Sequence, residues 1–140
     1  MNWQDKLKQL YATAPFPKLL GISLSFDHEK HSHLHLPFKK DLTHENGGVH
    51  GGVFATLLDD AGWFASAIWH EGVWVTTSEF KVHLLRPVES DDLHAEGKLI
   101  KRGRRMDIAE MSIYSGGKLV AAGMGTYVVL ENVAFGKDKV

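Results

Sequence analysis

The sequence predicts an α+β fold in which a curled antiparallel sheet wraps around one long central helix. Three observations predict it. One long stretch, from about His50 to His70, is apolar over nearly its whole circumference, the mark of a helix buried on most sides. Everything after Gly72 is strand-like, with breaks at Pro87, Gly103 and Gly116-Gly117. No composition break or internal repeat divides the 140 residues, a length that sustains one apolar core. A helix covered on most sides and followed by antiparallel strands needs a sheet that bends around it.

Taken in order, Trp3, Leu7, Leu10 and Tyr11 fall on one face of a leading helix that Pro15 and Pro17 bring to an end. Ile22, Leu24 and Phe26 alternate with polar residues, as do Leu34, Leu36 and Phe38, predicting two short strands about a turn near Asp27–Lys30. Residues 39–49 carry charge, Asn and paired Gly and read as a loop. In the central helix Val53, Phe54, Leu57, Leu58, Ala61, Trp63, Phe64, Ala65, Ile68 and Trp69 spread around the axis. A meander of long strands follows: Val73–Arg86, Asp92–Lys101, Met106–Ser115 and Lys118–Glu131, with Gly116-Gly117 as a two-residue hairpin turn. Residues 1–140 form one expected domain, with 1–17 its N-terminal helix and Pro-rich linker and 136–140 a frayed tail.

Composition narrows the function classes. A formal charge of −1 gives no field to draw the chain to nucleic acid or an anionic membrane. Cysteine is absent, which removes disulfides, thiolate nucleophiles and zinc–thiolate sites and fits a reducing cytosol. Charges interrupt the N-terminus before any signal-like apolar run, and no uncharged stretch reaches the ~18 residues of a membrane span. The expected location is the cytoplasm.

Two acids, Asp59 and Asp60, sit within the apolar helix. A buried carboxylate without partners costs several kcal/mol or raises its pKa. At 100° per residue, Asp59 shares a stripe with the small residues Gly52, Ala55, Thr56, Gly62 and Ser66. That stripe leaves room either for a second helix or for a ligand. Asp60 shares its face with Val53, Leu57, Phe64 and Ala67, so Asp59 is the better catalytic candidate. At the helix start, His50-Gly51-Gly52 follows Gly47-Gly48, leaving backbone N–H groups accessible to hold a negative oxygen during acyl transfer. There is no Gly-x-Ser-x-Gly elbow, so a serine acyl-enzyme has no support.

The run Gly48-Val49-His50-Gly51-Gly52-Val53-Phe54-Ala55-Thr56-Leu57-Leu58-Asp59 resembles the hotdog-fold acyl-CoA thioesterases of the phenylacetyl-CoA (PaaI-like) type, with an acid nine positions after the motif His. Pro15-Phe16 to Gly21-Ile22, Thr77 to Arg86-Pro87, Lys101 to Arg105 and Gly117 to Ala121 extend the resemblance over nearly the whole chain. The resemblance implies hydrolysis of a medium-chain or aryl acyl-CoA, with no cofactor because coenzyme A is part of the substrate. In that reading Gly51 N–H polarises the carbonyl, with Gly52 beside it. Asp59 is general base or nucleophile, Thr77 places the water and His50 tunes the helix start. The family usually carries Asn or Gln six residues before the motif His. Here His44 stands there with Asn46 close by, and either could take the role. A non-catalytic acyl-CoA-binding module on the same fold is the competing reading; retention of Asp59 and Thr77 favours the enzyme.

Gly51 and Asp59, eight residues apart on one helix, are separated by about 12 Å, too far to act on one bond. Two antiparallel helices about a two-fold axis could supply both, so if both act a homodimer is the minimal active unit; with the resemblance, a homotetramer is the expected assembly. Lys98, Lys101, Arg102, Arg104 and Arg105 cluster at a turn. They form either a solvated hairpin tip or, with Arg86, a site for the phosphates of coenzyme A. His31, His33 and His35 alternate along a strand and share a face; with no further ligand at a fitting spacing, they read as a solvated face without metal.

Overall fold

Asn2 starts the first helix, α1 (Trp3–Thr13), its side chain accepting the Asp5 N–H at 2.8 Å. The prolines that end α1 also begin a second helix the sequence reading lacked, α2 (Pro15–Leu20), with Pro15 in its first turn and Gly21 closing it at φ 91°. Proline has no N–H to lose in a first turn, so the same residue stops one helix and opens the next. The structure, a computed structural model, describes residues 1–135; the expected frayed tail lies outside the described residues.

Strands β1 (Ser23–Phe26) and β2 (Ser32–Leu36) form the predicted hairpin. The loop after β2 carries a single 3-10 turn over Lys40–Leu42 and a bridge between Thr43 and Val49. It delivers the chain to α3 (Gly51–Ala67), followed by β3 (Val73–Leu84), β4 (Leu93–Lys101), β5 (Met106–Ser115) and β6 (Lys118–Ala134). Gly116 and Gly117 turn β5 into β6 at φ 57° and 77°, the two positive angles of the tightest hairpin connection.

All six strands join one antiparallel sheet in the order β1-β2-β4-β5-β6-β3. The expected meander therefore holds for β4-β5-β6 and fails for β3, which pairs with β6 at the far edge, while β4 pairs with β2. The β3–β4 link is no hairpin: it carries Pro87 and runs from the β3 edge past β6 and β5 to reach β4. β6, at 17 residues, is long enough to serve both β5 and β3. The sheet curls around α3, as predicted, and this is the hotdog arrangement. Leu57, Leu58 and Ala61 are fully buried against it. Gly97 of β4 permits the closest approach: a Cβ there would lie 2.2 Å from the Ala61 carbonyl oxygen. Among the described residues no helix is long and apolar enough to cross a membrane.

Candidate active site

The start of α3 leaves one backbone donor over. His50 caps the helix: its Nδ1 accepts the Gly52 N–H at 2.8 Å, and its carbonyl accepts the Val53 N–H at 2.9 Å. Among the described residues nothing accepts from Gly51 N–H. Gly52, expected beside it as a substrate donor, is thus occupied by the cap. An imidazole that accepts at Nδ1 carries its hydrogen on Nε2 when neutral, so His50 also offers a donor from its exposed edge.

Gly51 opens into a surface cleft of about 350 Å³ that His44, Leu84, Leu85 and Arg86 also line. His44 is held there by the Asn46 backbone N–H, which donates to its Nδ1 at 3.0 Å. Its ring lies against Gly48, where a Cβ would come within 3.0 Å of Nε2. Asn46 is exposed and is not among the residues lining the cleft. Of the two alternatives, His44 therefore stands beside Gly51, and Asn46 positions it.

Further along α3, Thr77 Oγ1 donates to Asp59 Oδ1 at 2.8 Å, bringing together two residues singled out from the sequence. Opposite Thr77 in the β3–β6 register is Tyr127, whose hydroxyl reaches the Asp59 carbonyl at 3.2 Å and Oδ1 at 3.4 Å. Both hydroxyls gather on one oxygen. No donor among the described residues reaches Oδ2, and Asp59 is only partly buried. Burial pushes the Asp59 carboxyl above the usual carboxylate range, while the hydrogen bonds from Thr77 and Tyr127 oppose the rise.

Sequence reasoning missed Tyr127. Its signal was Gly62, a glycine in mid-helix at a cost of about 1 kcal/mol relative to alanine. A Cβ on Gly62 would lie 2.2 Å from the Tyr127 hydroxyl. The small-residue stripe accordingly divides. Gly62 makes way for Tyr127, and Ser66 is buried with its hydroxyl on Asp107 at 2.7 Å. Only its first half, with Gly52, Ala55 and Thr56, stays open. A β-bulge between Thr77 and Glu79 aims the facing strand. Before it Val75 and Thr77 point inward, after it Phe80 and Val82, so one extra residue keeps both halves of β3 turned toward α3.

Asp60 accepts a hydrogen bond from Tyr11 at 2.8 Å. Burial pushes its carboxyl up to about 6, against the Tyr11 bond and with help from the Asp59 charge. It lines an apolar cavity of about 340 Å³ walled by Leu10, Phe16, Trp63, Phe64, Trp74 and Phe135. The arginines do not assemble as one group. Arg86 borders the Gly51 cleft, whereas Arg102 stacks over Trp69 at 4.4 Å, past the far end of α3. The 17 residues of α3, Gly51–Ala67, rise about 24 Å, and Trp69 lies just past their end. Arg102, Arg104 and Arg105 are therefore away from the Gly51 of their own chain.

Residues 46–122 match the thioesterase superfamily. A candidate esterase of Saccharolobus solfataricus is 31% identical over 79% of this chain and 74% of its own length. A thioesterase family protein from Silicibacter pomeroyi superposes with a TM-score of 0.85 at 27% identity, covering 92% of this chain and 98% of that one. The PaaI protein of the E. coli phenylacetic acid degradation operon shares the fold, with a TM-score of 0.82 at 21% identity over 94% and 99%.

Proposed function

The chain belongs to the thioesterase superfamily and is a thioester hydrolase, and from that premise we propose that it cleaves a medium-chain or aryl acyl-CoA to the free acid and coenzyme A. One observation carries the residue assignment: Asp59 has Oδ1 restrained by Thr77 and leaves Oδ2 without a donor among the described residues. That oxygen takes a proton from water as the water attacks the thioester carbonyl. The oxyanion that forms accepts the hydrogen bond of a Gly51 N–H. Collapse of the tetrahedral intermediate breaks the C–S bond, and the proton held on Asp59 passes to the departing thiolate. If Oδ2 instead attacks the carbonyl directly, a mixed anhydride forms and water hydrolyses it. A single turnover in ¹⁸O-water with enzyme in excess separates the two: the first route puts the label in the free acid, whereas hydrolysis of the anhydride at the Asp59 carbonyl leaves it on the Asp59 side chain.

The Gly51 that serves a given Asp59 comes from a second copy. α3 is unbroken from Gly51 to Ala67, so no kink brings the two groups together within one chain. The part of α3 that the sheet leaves uncovered carries Gly52, Ala55, Thr56 and Asp59, a surface suited to an antiparallel copy of the helix. Among the described residues, β3 (12 residues) ends the sheet with one edge unpaired, and long open edges are normally paired or covered. The apolar cavity beside Asp60 is the proposed seat of the acyl group, since aromatic walls suit an aryl or alkyl chain.

The test is thiol release over acyl-CoAs of varied length and aromaticity. Asp59→Asn should lower kcat by about 10³-fold without lowering the unfolding midpoint. Full activity in that variant removes Asp59 from the chemistry, and binding of acyl-CoA without any thiol release leaves the binding module. Gly51→Pro removes the N–H where the helix tolerates it, because proline suits the first helical position, His50 before it is already extended, and the added Cβ meets only the flexible end of Leu84, at 3.2 Å. Mixed oligomers of Asp59→Asn and Gly51→Pro should regain up to about a quarter of wild-type activity, since half of the sites in each mixed dimer are intact. No recovery would overturn the shared site.

A further inference from the structure

The convex face of the sheet, opposite α3, carries a cluster that the thioester chemistry does not use. The reading of His31, His33 and His35 as a solvated face rested on the lack of further ligands, and folding supplies them. β2 pairs with β4 so that His33 lies directly across from Glu96, while the tight β1–β2 turn returns Asp27 to the same spot. Asp27 Oδ1 is committed to that turn, accepting the Glu29 and His31 N–H groups at 2.9 and 3.0 Å. Its Oδ2 is left facing the imidazoles, 2.8 Å from His33 Nε2 and 3.5 Å from His31 Nδ1. Glu96 Oε1 stands 3.8 Å from that same His31 nitrogen. The ligand atoms of Asp27, His33 and Glu96 all lie within 4.8 Å of one another.

We propose that Asp27, His33 and Glu96, with His31 as a fourth donor, bind one divalent transition-metal ion of the zinc class. Zinc bonds of about 2.0–2.2 Å at a tetrahedral angle set ligand atoms roughly 3.3 Å apart; Asp27 and His33 already stand 2.8 Å apart, Glu96 lies within 4.8 Å of both, and His31 Nδ1 is 3.5 and 3.8 Å from the two carboxylates, so a small shift of side chains closes the site around an ion. Mixed imidazole and carboxylate donors without thiolate suit zinc and its neighbours rather than calcium or magnesium. An outer support is also in place: His33 Nδ1 lies 2.9 Å from His94 Nε2. A metal-bound imidazole needs such a partner for its second nitrogen, which fixes ring orientation and tautomer. The four side chains are 22–36% exposed, so the site opens to solvent on one side. The ion would pin the β1–β2 turn to β4, a cross-link between segments about 65 residues apart in the sequence.

The experiment is a titration of tag-free, chelator-treated protein with zinc by calorimetry and with Co(II) by visible absorption. Expected are one ion per chain, Co(II) bands of four- or five-fold coordination, and an unfolding midpoint raised by several degrees in zinc. His33→Ala should weaken binding by about 100-fold and His94→Ala by about tenfold, with circular dichroism unchanged in both. His35→Ala, whose ring faces Asp92 at 3.4 Å instead, should bind as wild type does. Absence of saturable binding in the wild-type protein, or equal loss in His35→Ala and His33→Ala, overturns the site. The readout is binding, so its outcome is independent of the thioester chemistry.

Discussion

Asp59 and Asp107 are both drawn in against α3, and their surroundings make opposite use of the same side chain. Asp107 is fully buried and committed on both oxygens. Oδ2 accepts from Ser66 at 2.7 Å and lies 2.7 Å from His70 Nε2, and Oδ1 accepts the Gly103 N–H at 2.8 Å. It ties the end of α3 to the turn between β4 and β5. Asp59 is only half-buried, and its hydrogen bonds converge on one oxygen. A carboxylate with both oxygens saturated is a strut; one with a single oxygen restrained is oriented and still able to take a proton. Burial alone would have ranked Asp107 first; it is the lone pairs left open among the described residues, not depth, that make Asp59 the proposed base.

The largest expected effect that sharpens this contrast is the loss of about 4 kcal/mol of transition-state stabilisation in Asp59→Asn, with stability intact. Asp107→Ala should do the reverse. Stranding Ser66, His70 and the Gly103 N–H should lower stability by about 3 kcal/mol, read from urea unfolding, while folded enzyme keeps its kcat. A drop in kcat without a drop in stability would break the comparison.

Asp60→Asn tests the neighbouring acid. Its folded pKa of about 6 lies above the ordinary value near 3.8. The protonated form therefore stabilises the fold, and that contribution fades as pH rises through 6. At pH 8 the variant should be more stable than wild type by about 3 kcal/mol. At pH 4 the gap should close, and equal stabilities at both values would remove the burial argument. Thr77→Val is the smallest change, about a tenfold loss in kcat, or roughly 1.4 kcal/mol. It also has a direction in pH. The lost hydrogen bond favoured the charged carboxylate, so the Asp59 pKa rises further and the acidic limb of kcat/KM moves to higher pH.

Much of the architecture was legible because periodicity reports burial. The apolar circumference of α3, the alternating strands and the paired glycines each express a local rule that their own residues satisfy. Legibility failed where one residue plays two parts or where a partner is remote. Pro15 ends a helix and starts another, and β3 leaves its sequence neighbour β4 for β6. A hydrophobic pattern fixes which face is buried but not which strand lies alongside, and pairing depends on where the long link after Leu84 is carried.

The site divides along the same line. By itself the chain order determined that His50, Gly51 and Asp59 lie along one helix with Gly51 and Asp59 about 12 Å apart, because helical rise is fixed by the backbone. Only the folded sheet decided which lone pairs remain open, that Tyr127 fills the hollow left by Gly62, and that Asp27 and Glu96 meet His33. Those contacts join segments tens of residues apart, and a linear pattern holds no information on distance between segments until the strands have chosen their neighbours.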